Sequence, residues 1–263
     1  MNLFQRAFHL GHYIFPEGGT CLEFGVFTGE TYCYQAEQML QQYEASRLIG
    51  FDSWQGLPDE TEGVWAPDRH QPGEFSAPKA EVLDKLDKLG AEAGGDRFQL
   101  IDGFFSESLT NDLRRGIGDL IFVNIDVDIY KSTIELLDFV GPILRPGVIL
   151  YWDDWKDPKD QHAEDWGEHL AWEHWLQKQD WLRVETLEVN PVNQRTMIVT
   201  EVTGSRLSSP LPSMCDIRYH LAGLDPAPRE VDPDYEVFQK LKGRMRRIPG
   251  IRLLARAIRP VLK

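Results

Sequence analysis

Between Thr20 and Val202, apolar runs of strand length alternate with segments in which apolar residues return every three or four positions. TCLEFGVF (20–27), RLIGFDSW (47–54), RFQLIDGFF (97–105), DLIFVNIDVD (119–128) and GVILYWDDW (147–155) read as strands. Segments 28–43, 79–90, 108–116, 132–144 and 165–179 carry helical periodicity, and WLRVETLEV (181–189) and QRTMIVTEV (194–202) close the series as strands. Such alternation predicts an α/β fold with a doubly wound, mostly parallel sheet, its last two strands forming an antiparallel edge pair. Only a short lead precedes the first strand. Residues 1–204 are expected to form the sheet domain, 205–236 a C-terminal extension, and 237–263 a separate tail.

The tail changes the electrostatic picture. Residues 237–263 carry nine basic and no acidic side chains, so all 42 acidic residues lie on the preceding body. A body that acidic repels nucleic-acid backbones, and no nucleic-acid partner is expected. Within the tail, Phe238, Leu241, Met245 and Ile248, then Ile251, Leu254 and Ile258, alternate with the basic residues on either side of Pro249. Two short basic amphipathic helices follow from that spacing, suited to an anionic membrane surface, to a partner subunit in a homo-oligomer, or to the chain's own acidic body. With no apolar run of transmembrane length and no signal-peptide pattern after Met1, a cytoplasmic protein with peripheral membrane contact through 237–263 is expected. Cys21, Cys33 and Cys215 have neither paired nor metal-ligand spacing and read as reduced packing residues.

In a doubly wound sheet ligands sit beyond the carboxyl ends of the strands, so polar residues there are the candidates for chemistry. The first strand runs into Glu23-x-Gly25-x-x-x-Gly29, where the glycines permit close backbone approach of a ligand and Thr28 is placed to cap the next helix. This pattern lacks the first glycine of the dinucleotide fingerprint, which disfavours a nicotinamide cofactor and an oxidoreductase. Asp52 closes the second strand, where an acid accepts hydrogen bonds from ribose hydroxyls or caps a loop before Ser53. Asp102, before Gly103, faces an adenine amino group or caps its own turn.

Asp126 ends one strand and Asp153-Asp154 the next, and these strands should be neighbours. Three carboxylates converging there repel one another unless a cation lies among them, and an all-oxygen donor set suits Mg2+. Ser132-x-x-Glu135 reads as a capping box, with Asp128 serving the turn before it.

The ordered segments CLEFGVFTGET, GFDSWQGLPDE, GEFSAP, DGFFSESL, IDVDIYKST and LRPGVILYWDDW resemble the macrocin O-methyltransferase family of S-adenosylmethionine-dependent, class I methyltransferases. The resemblance spans about Thr20 to Trp155. It implies a Rossmann-like seven-stranded sheet, S-adenosylmethionine as cofactor, a divalent cation, and methylation of a hydroxyl of a sugar or glycosylated acceptor. Carried over by motif, Glu23, Gly25 and Asp52, with their neighbours Thr28, Gly29, Glu30, Thr31, Ser53, Asp102 and Gly103, would hold the cofactor. Asp126, Asp153 and Asp154 would hold the metal, with Asp126 also counted as catalytic. Val127 departs from the family, which usually has Gly there, and Trp155 stands where Tyr is common.

Forming the attacking alkoxide also needs a base. His162 is the candidate, with His169 and His174 on the next helix reading as surface or core residues and Lys131 placed to steer an anionic substrate. The loop 63–78, rich in proline, glycine and aromatics, reads as a lid over the site or as a solvated connector. Trp166, Trp172 and Trp175 line an acceptor pocket or pack in the core. A small phenolic acceptor, or a cofactor-binding regulator without catalysis, are the competing functions.

Overall fold

The computed structural model of the chain describes residues 1–59, 70–155, 167–205 and 210–224. Its first element was not anticipated. Leu3–Ile14 form α1, in which Leu3, Phe4, Ala7, Phe8, Leu10 and Ile14 make one buried stripe. Asn2 starts the helix with a reciprocal capping box: the Gln5 N–H donates to Asn2 Oδ1 at 2.8 Å and the Asn2 N–H to Gln5 Oε1 at 3.1 Å. Both the stripe and the cap are legible in the sequence, so the lead before the first strand is a core helix.

The alternating body then follows: β1 (Thr20–Phe24), α2 (Glu30–Gln41), β2 (Arg47–Asp52), α3 (Lys79–Leu89), β3 (Phe98–Asp102), the short helices α4 (Phe105–Ser108) and α5 (Asn111–Arg115), and β4 (Leu120–Ile125). After it come α6 (Tyr130–Val140), β5 (Ile149–Trp152), α7 (Gly167–Leu176), β6 (Leu182–Val189), β7 (Arg195–Val202) and α8 (Met214–Leu224). The seven strands form one sheet in the order β3-β2-β1-β4-β5-β7-β6. β1 to β5 are mutually parallel, whereas β7 pairs antiparallel with both β5 and β6, which leaves β6 as the outer strand of the predicted antiparallel pair.

β1 to β5 end two or three residues earlier than the apolar runs suggest, and after β1 to β4 the chain turns out of the ladder where φ becomes positive. Gly25, Phe27, Trp54, Gly103 and Asp128 all take such values. Two core layers flank the sheet. Cys21, Leu48, Phe122 and Tyr151 face the layer containing α1, α2 and α3, while Leu22, Phe24, Phe51, Val123 and Trp152 face the layer built with α6 and α7. α1 seats against β4 through Gly11, where a Cβ would stand 3.2 Å from the Ile121 carbonyl oxygen, and against β5 through Phe4, whose ring meets that of Tyr151. None of the three cysteines forms a disulfide among the described residues. Among the described residues no helix is long and apolar enough to cross a membrane. The tail 237–263 lies outside the described residues.

Candidate active site

The carboxyl ends of β1 to β5 open on a cleft of about 330 Å³, placed over the point where the strand order reverses between β1 and β4. Its floor begins at Gly25, with φ +84°, whose N–H donates to the Phe51 carbonyl at 3.0 Å. A Cβ on Gly25 would fall 1.8 Å from the backbone oxygen of Asp126. This glycine is therefore required by the crossing of two strand ends, in addition to lining the cleft where a ligand was expected to approach. Gly29 is likewise fixed from within the protein, since a Cβ there would meet the Val82 methyls at 2.9 Å. Gly29, with φ +79°, is also the N-cap of α2, so the predicted Thr28 cap is not made; the Thr28 carbonyl instead accepts from Lys85 Nζ at 2.7 Å.

Asp52 gathers the turns on the β1–β2 side of the cleft. Its Oδ2 accepts from the N–H groups of Val26 at 2.9 Å and Phe27 at 2.8 Å, and its Oδ1 from the Trp54 N–H at 2.7 Å. Asp52, Ser53, Gly25 and Gly103 line the cleft. Glu23, Thr28, Gly29, Glu30, Thr31 and Asp102 do not. Glu23 belongs to β1 itself, and its side chain enters the layer beneath α2, fully buried, where Thr31 Oγ1 donates to it at 2.8 Å and Gln35 Nε2 also donates. Burial pushes its carboxyl up to about 8 against the opposing effect of the Thr31 and Gln35 bonds and the nearby Asn124 amide. Asp102 pairs with Lys79 Nζ at 2.5 Å and accepts from Trp54 Nε1 at 2.8 Å. Burial works against its charged form, but the Lys79 and Trp54 contacts outweigh it and hold the carboxyl below its ordinary range.

On the other side of the switch point the structure brings Asp126, Asp153 and Asp154 together, with one oxygen of each within 4.8 Å of the others. Asp126 lies one residue past β4 and Asp153 one past β5, and their backbones are locked to neighbouring strands by Asp126 N–H to Phe24 O at 3.0 Å and Asp153 N–H to Ile125 O at 2.9 Å. Tyr151 Oη orients Asp153 by donating to its Oδ1 at 2.8 Å, as does Gln194 Nε2. Burial first, then the charges of Asp153, Asp154, Asp128 and Glu168, push the Asp126 carboxyl well above its ordinary range. Three half-buried carboxylates within reach of one another form an all-oxygen donor set that fits a hard divalent cation.

Asp128 also lines the cleft, in left-handed backbone at φ +60°, with His70 Nε2 3.5 Å from its Oδ1. The predicted capping box is absent: α6 starts at Tyr130 with Ile129 as N-cap, which puts Ser132 inside the first turn, buried and facing the cleft. The residue before α6 is held by an Ile129 N–H to Val127 O bond at 2.6 Å.

Two residues near the cleft escaped the sequence reading. Glu168, at the start of α7, is fully buried and accepts the Val127 N–H through Oε1 at 3.0 Å. Burial, with Asp154, Asp128 and Asp153 nearby, pushes its carboxyl well above the ordinary range. No spacing rule links position 168 to Asp126. His70 belongs to the expected lid, of which residues 70–78 are described; this part is fastened by Leu57 N–H to Glu74 O and Gly73 N–H to Leu57 O, both 2.9 Å. Phe75 reaches the rim of the cleft and meets Phe27 edge-on, with ring centroids 6.0 Å apart.

His162, the candidate base, lies outside the described residues, as do Trp166 and positions 63–69. Trp172 and Trp175 are core residues: Trp172 packs on Trp152, and Trp175 Nε1 donates to Asp138 at 2.9 Å. His169 packs against Trp155 and pairs with Glu173, and His174 meets Tyr130 Oη at 3.1 Å. Lys131 lies near Glu135 and does not line the cleft.

Residues 22–155 match the family described as a methyltransferase domain. A curated relative from Streptomyces olivaceus, an 8-demethyl-8-(2,3-dimethoxy-alpha-L-rhamnosyl)-tetracenomycin-C 4'-O-methyltransferase, is 24% identical over 143 residues, which is 52% of this chain. The chain spans about half, 53%, of that relative's length. Among solved structures, the O-methyltransferase NovP superposes with a TM-score of 0.60 at 18% identity, over 75% of this chain and 79% of its own. The calicheamicin methyltransferase CalS11 gives 0.57 at 22% identity, over 77% and 79%. These superpositions establish the fold. The family match takes in β1 to β5, hence Asp52 and all three clustered carboxylates, and the chain belongs to the methyltransferase-domain family.

Proposed function

We propose that the protein is an S-adenosylmethionine-dependent O-methyltransferase that acts on a sugar hydroxyl of a glycosylated acceptor with the help of a divalent cation, most simply Mg2+. The observation that carries this reading is the arrangement of one cleft into two halves. A cofactor half is organised by Asp52 and the turns at Gly25 and Gly103, and an all-carboxylate half is built from Asp126, Asp153 and Asp154. The names of the rhamnosyl-directed relative and of CalS11, described as a TDP-rhamnose 3'-O-methyltransferase, support a sugar as acceptor. Phe27 and Phe75 give the rim an apolar edge that suits an aglycone ring.

When bound, S-adenosylmethionine supplies the methyl group and the cation orients and acidifies the acceptor hydroxyl. The chain's own residues do the rest. Asp126, Asp153 and Asp154 would hold the cation, and Gly25, Asp52, Ser53 and Gly103 would shape the cofactor half. Of the carboxylates lining the cleft, Asp52 already serves three backbone amides, and three belong to the cation set. Asp128 is the remaining acid, and we assign it to take the acceptor's proton at Oδ, with His70 steadying it from the loop. Phe27, Phe75, Leu57 and Pro58 keep water from that proton transfer.

The test is incubation of the full chain with S-adenosylmethionine and a rhamnosylated aromatic acceptor, with Mg2+ or with excess chelator, followed by mass analysis of the acceptor. Addition of one methyl group in Mg2+ and its loss in chelator is the expected result. Full transfer in chelator would remove the cation from the proposal, and heat of binding with NAD but not with S-adenosylmethionine would remove the methyltransferase reading altogether.

A further inference from the structure

The start of α7 is pressed against the turn that carries Asp126 and Asp128. Gly167 adopts φ +71°, and a Cβ on it would stand 2.9 Å from the Asp128 carbonyl oxygen. The next residue, Glu168, is fully buried, and its Oε1 accepts the N–H of Val127, the residue between the two aspartates. The Val127 side chain packs in the core beside Trp152 and Trp155. The turn is therefore held from both sides: by a β-branched side chain below, where the resembled family usually has Gly, and by a carboxylate above. The second oxygen of Glu168, Oε2, is buried with no hydrogen-bond partner among the described residues. A carboxylate oxygen in that state is costly unless a polar ligand reaches it. Its charged surroundings are Asp154, Asp128, Asp153 and Asp126, all of the same sign, an arrangement that a cation's hydration shell donating to Oε2 would offset.

We propose that Glu168 is the outer carboxylate of the cation centre, a positioning residue that braces the Asp126–Asp128 turn through Oε1 and offers Oε2 to a water held by the cation. This inference rests on reading Asp126, Asp153 and Asp154 as a cation site. Mg2+ retains several waters when carboxylates bind it, and groups that orient such waters and the ligands themselves change metal affinity by about 10–100-fold.

Calorimetric titration of the full chain with MgCl2 tests it, using wild type, Glu168→Gln, Glu168→Ala and, as a charge control on the same helix, the exposed Glu173→Gln. Glutamine keeps an oxygen for the Val127 amide but replaces the second acceptor with a donor. Glu168→Gln should leave metal-free Tm and S-adenosylmethionine affinity within error of wild type while weakening Mg2+ binding about tenfold or more. Glu168→Ala loses the brace as well, and should both melt earlier and bind Mg2+ at least as weakly. Mg2+ affinity of Glu168→Gln within twofold of wild type overturns the proposal, as does an equal loss in Glu173→Gln. Absence of Mg2+ binding by wild type overturns this inference together with the cation site, whereas binding by wild type that Glu168→Gln leaves intact overturns this inference alone.

Discussion

Gly25 lies beneath the Asp126 carbonyl so closely that a Cβ on it would come within 1.8 Å of that oxygen. One backbone contact thus joins the proposed cofactor half of the cleft to the carboxylate half. Gly25→Ala must displace the end of β1 or of β4, and it also forces alanine into φ +84°. Urea denaturation should show a loss of about 3 kcal/mol or more, and both S-adenosylmethionine and Mg2+ binding should suffer. Gly29→Ala meets only the Val82 methyls, which can shift, and should cost about 1–2 kcal/mol. Equal, small losses at the two positions would show that the crossing is not rigid.

Asp126→Asn, Asp153→Asn and Asp154→Asn each remove one charge from the cluster while keeping its shape. Mg2+ affinity and turnover should fall together, S-adenosylmethionine binding should persist, and the metal-free proteins should melt no lower than wild type because repulsion is relieved. Near-normal turnover of all three in excess chelator would identify them as ordinary solvated acids.

Glu23 is held protonated by its burial, with a folded-state value of about 8 against an ordinary carboxyl in the unfolded chain. Below the unfolded value both states carry the proton; between the two values only the folded protein does, so stability falls as pH rises across that window, by up to about 1.4 kcal/mol per pH unit, and levels off above it. Glu23→Gln should flatten this slope, provided the Gln35 amide turns over so that its Oε1, without a partner among the described residues, accepts from the new amide. Thermal melts of both proteins from pH 5 to 9 decide the matter, and parallel curves would mean that Glu23 is ionised in the fold.

Asp52 has both carboxylate oxygens engaged by backbone amides of two different turns. Asp52→Ala should therefore abolish measurable S-adenosylmethionine binding and also destabilise the protein by about 1–3 kcal/mol, since three N–H groups lose their acceptor. Loss of binding with unchanged stability would assign Asp52 to the ligand alone.

Asp128→Asn should lower turnover by about 10²–10⁴-fold with S-adenosylmethionine affinity unchanged, because it removes the proton acceptor while leaving the cofactor half intact. His70→Ala, acting only through Asp128, should cost less. A variant Asp128→Asn with wild-type turnover would move the base elsewhere in the cleft.

What the sequence determined by itself was whatever depends on neighbours along the chain. Alternation of periods dictated a doubly wound sheet, with its closing pair antiparallel, and located the strand ends at which Asp52, Asp126, Asp153 and Asp154 stand. The same local rules would have revealed α1 from its capping box and stripe. Tertiary structure decided where each side chain points. Glu23 and Asp126 both look like acids at strand ends, but β1 continues through Glu23 and its pleat turns that carboxyl under α2, whereas β4 stops at Ile125 and releases Asp126 into the cleft. A difference of one or two residues in where a ladder ends separates a buried acid from one that opens on the cleft, because side chains alternate faces inside a strand and are free of that alternation only beyond it. Glu168 and His70 reach the same turn from 41 and 58 residues away in sequence, through packing against Val127 and Asp128 that no local pattern encodes.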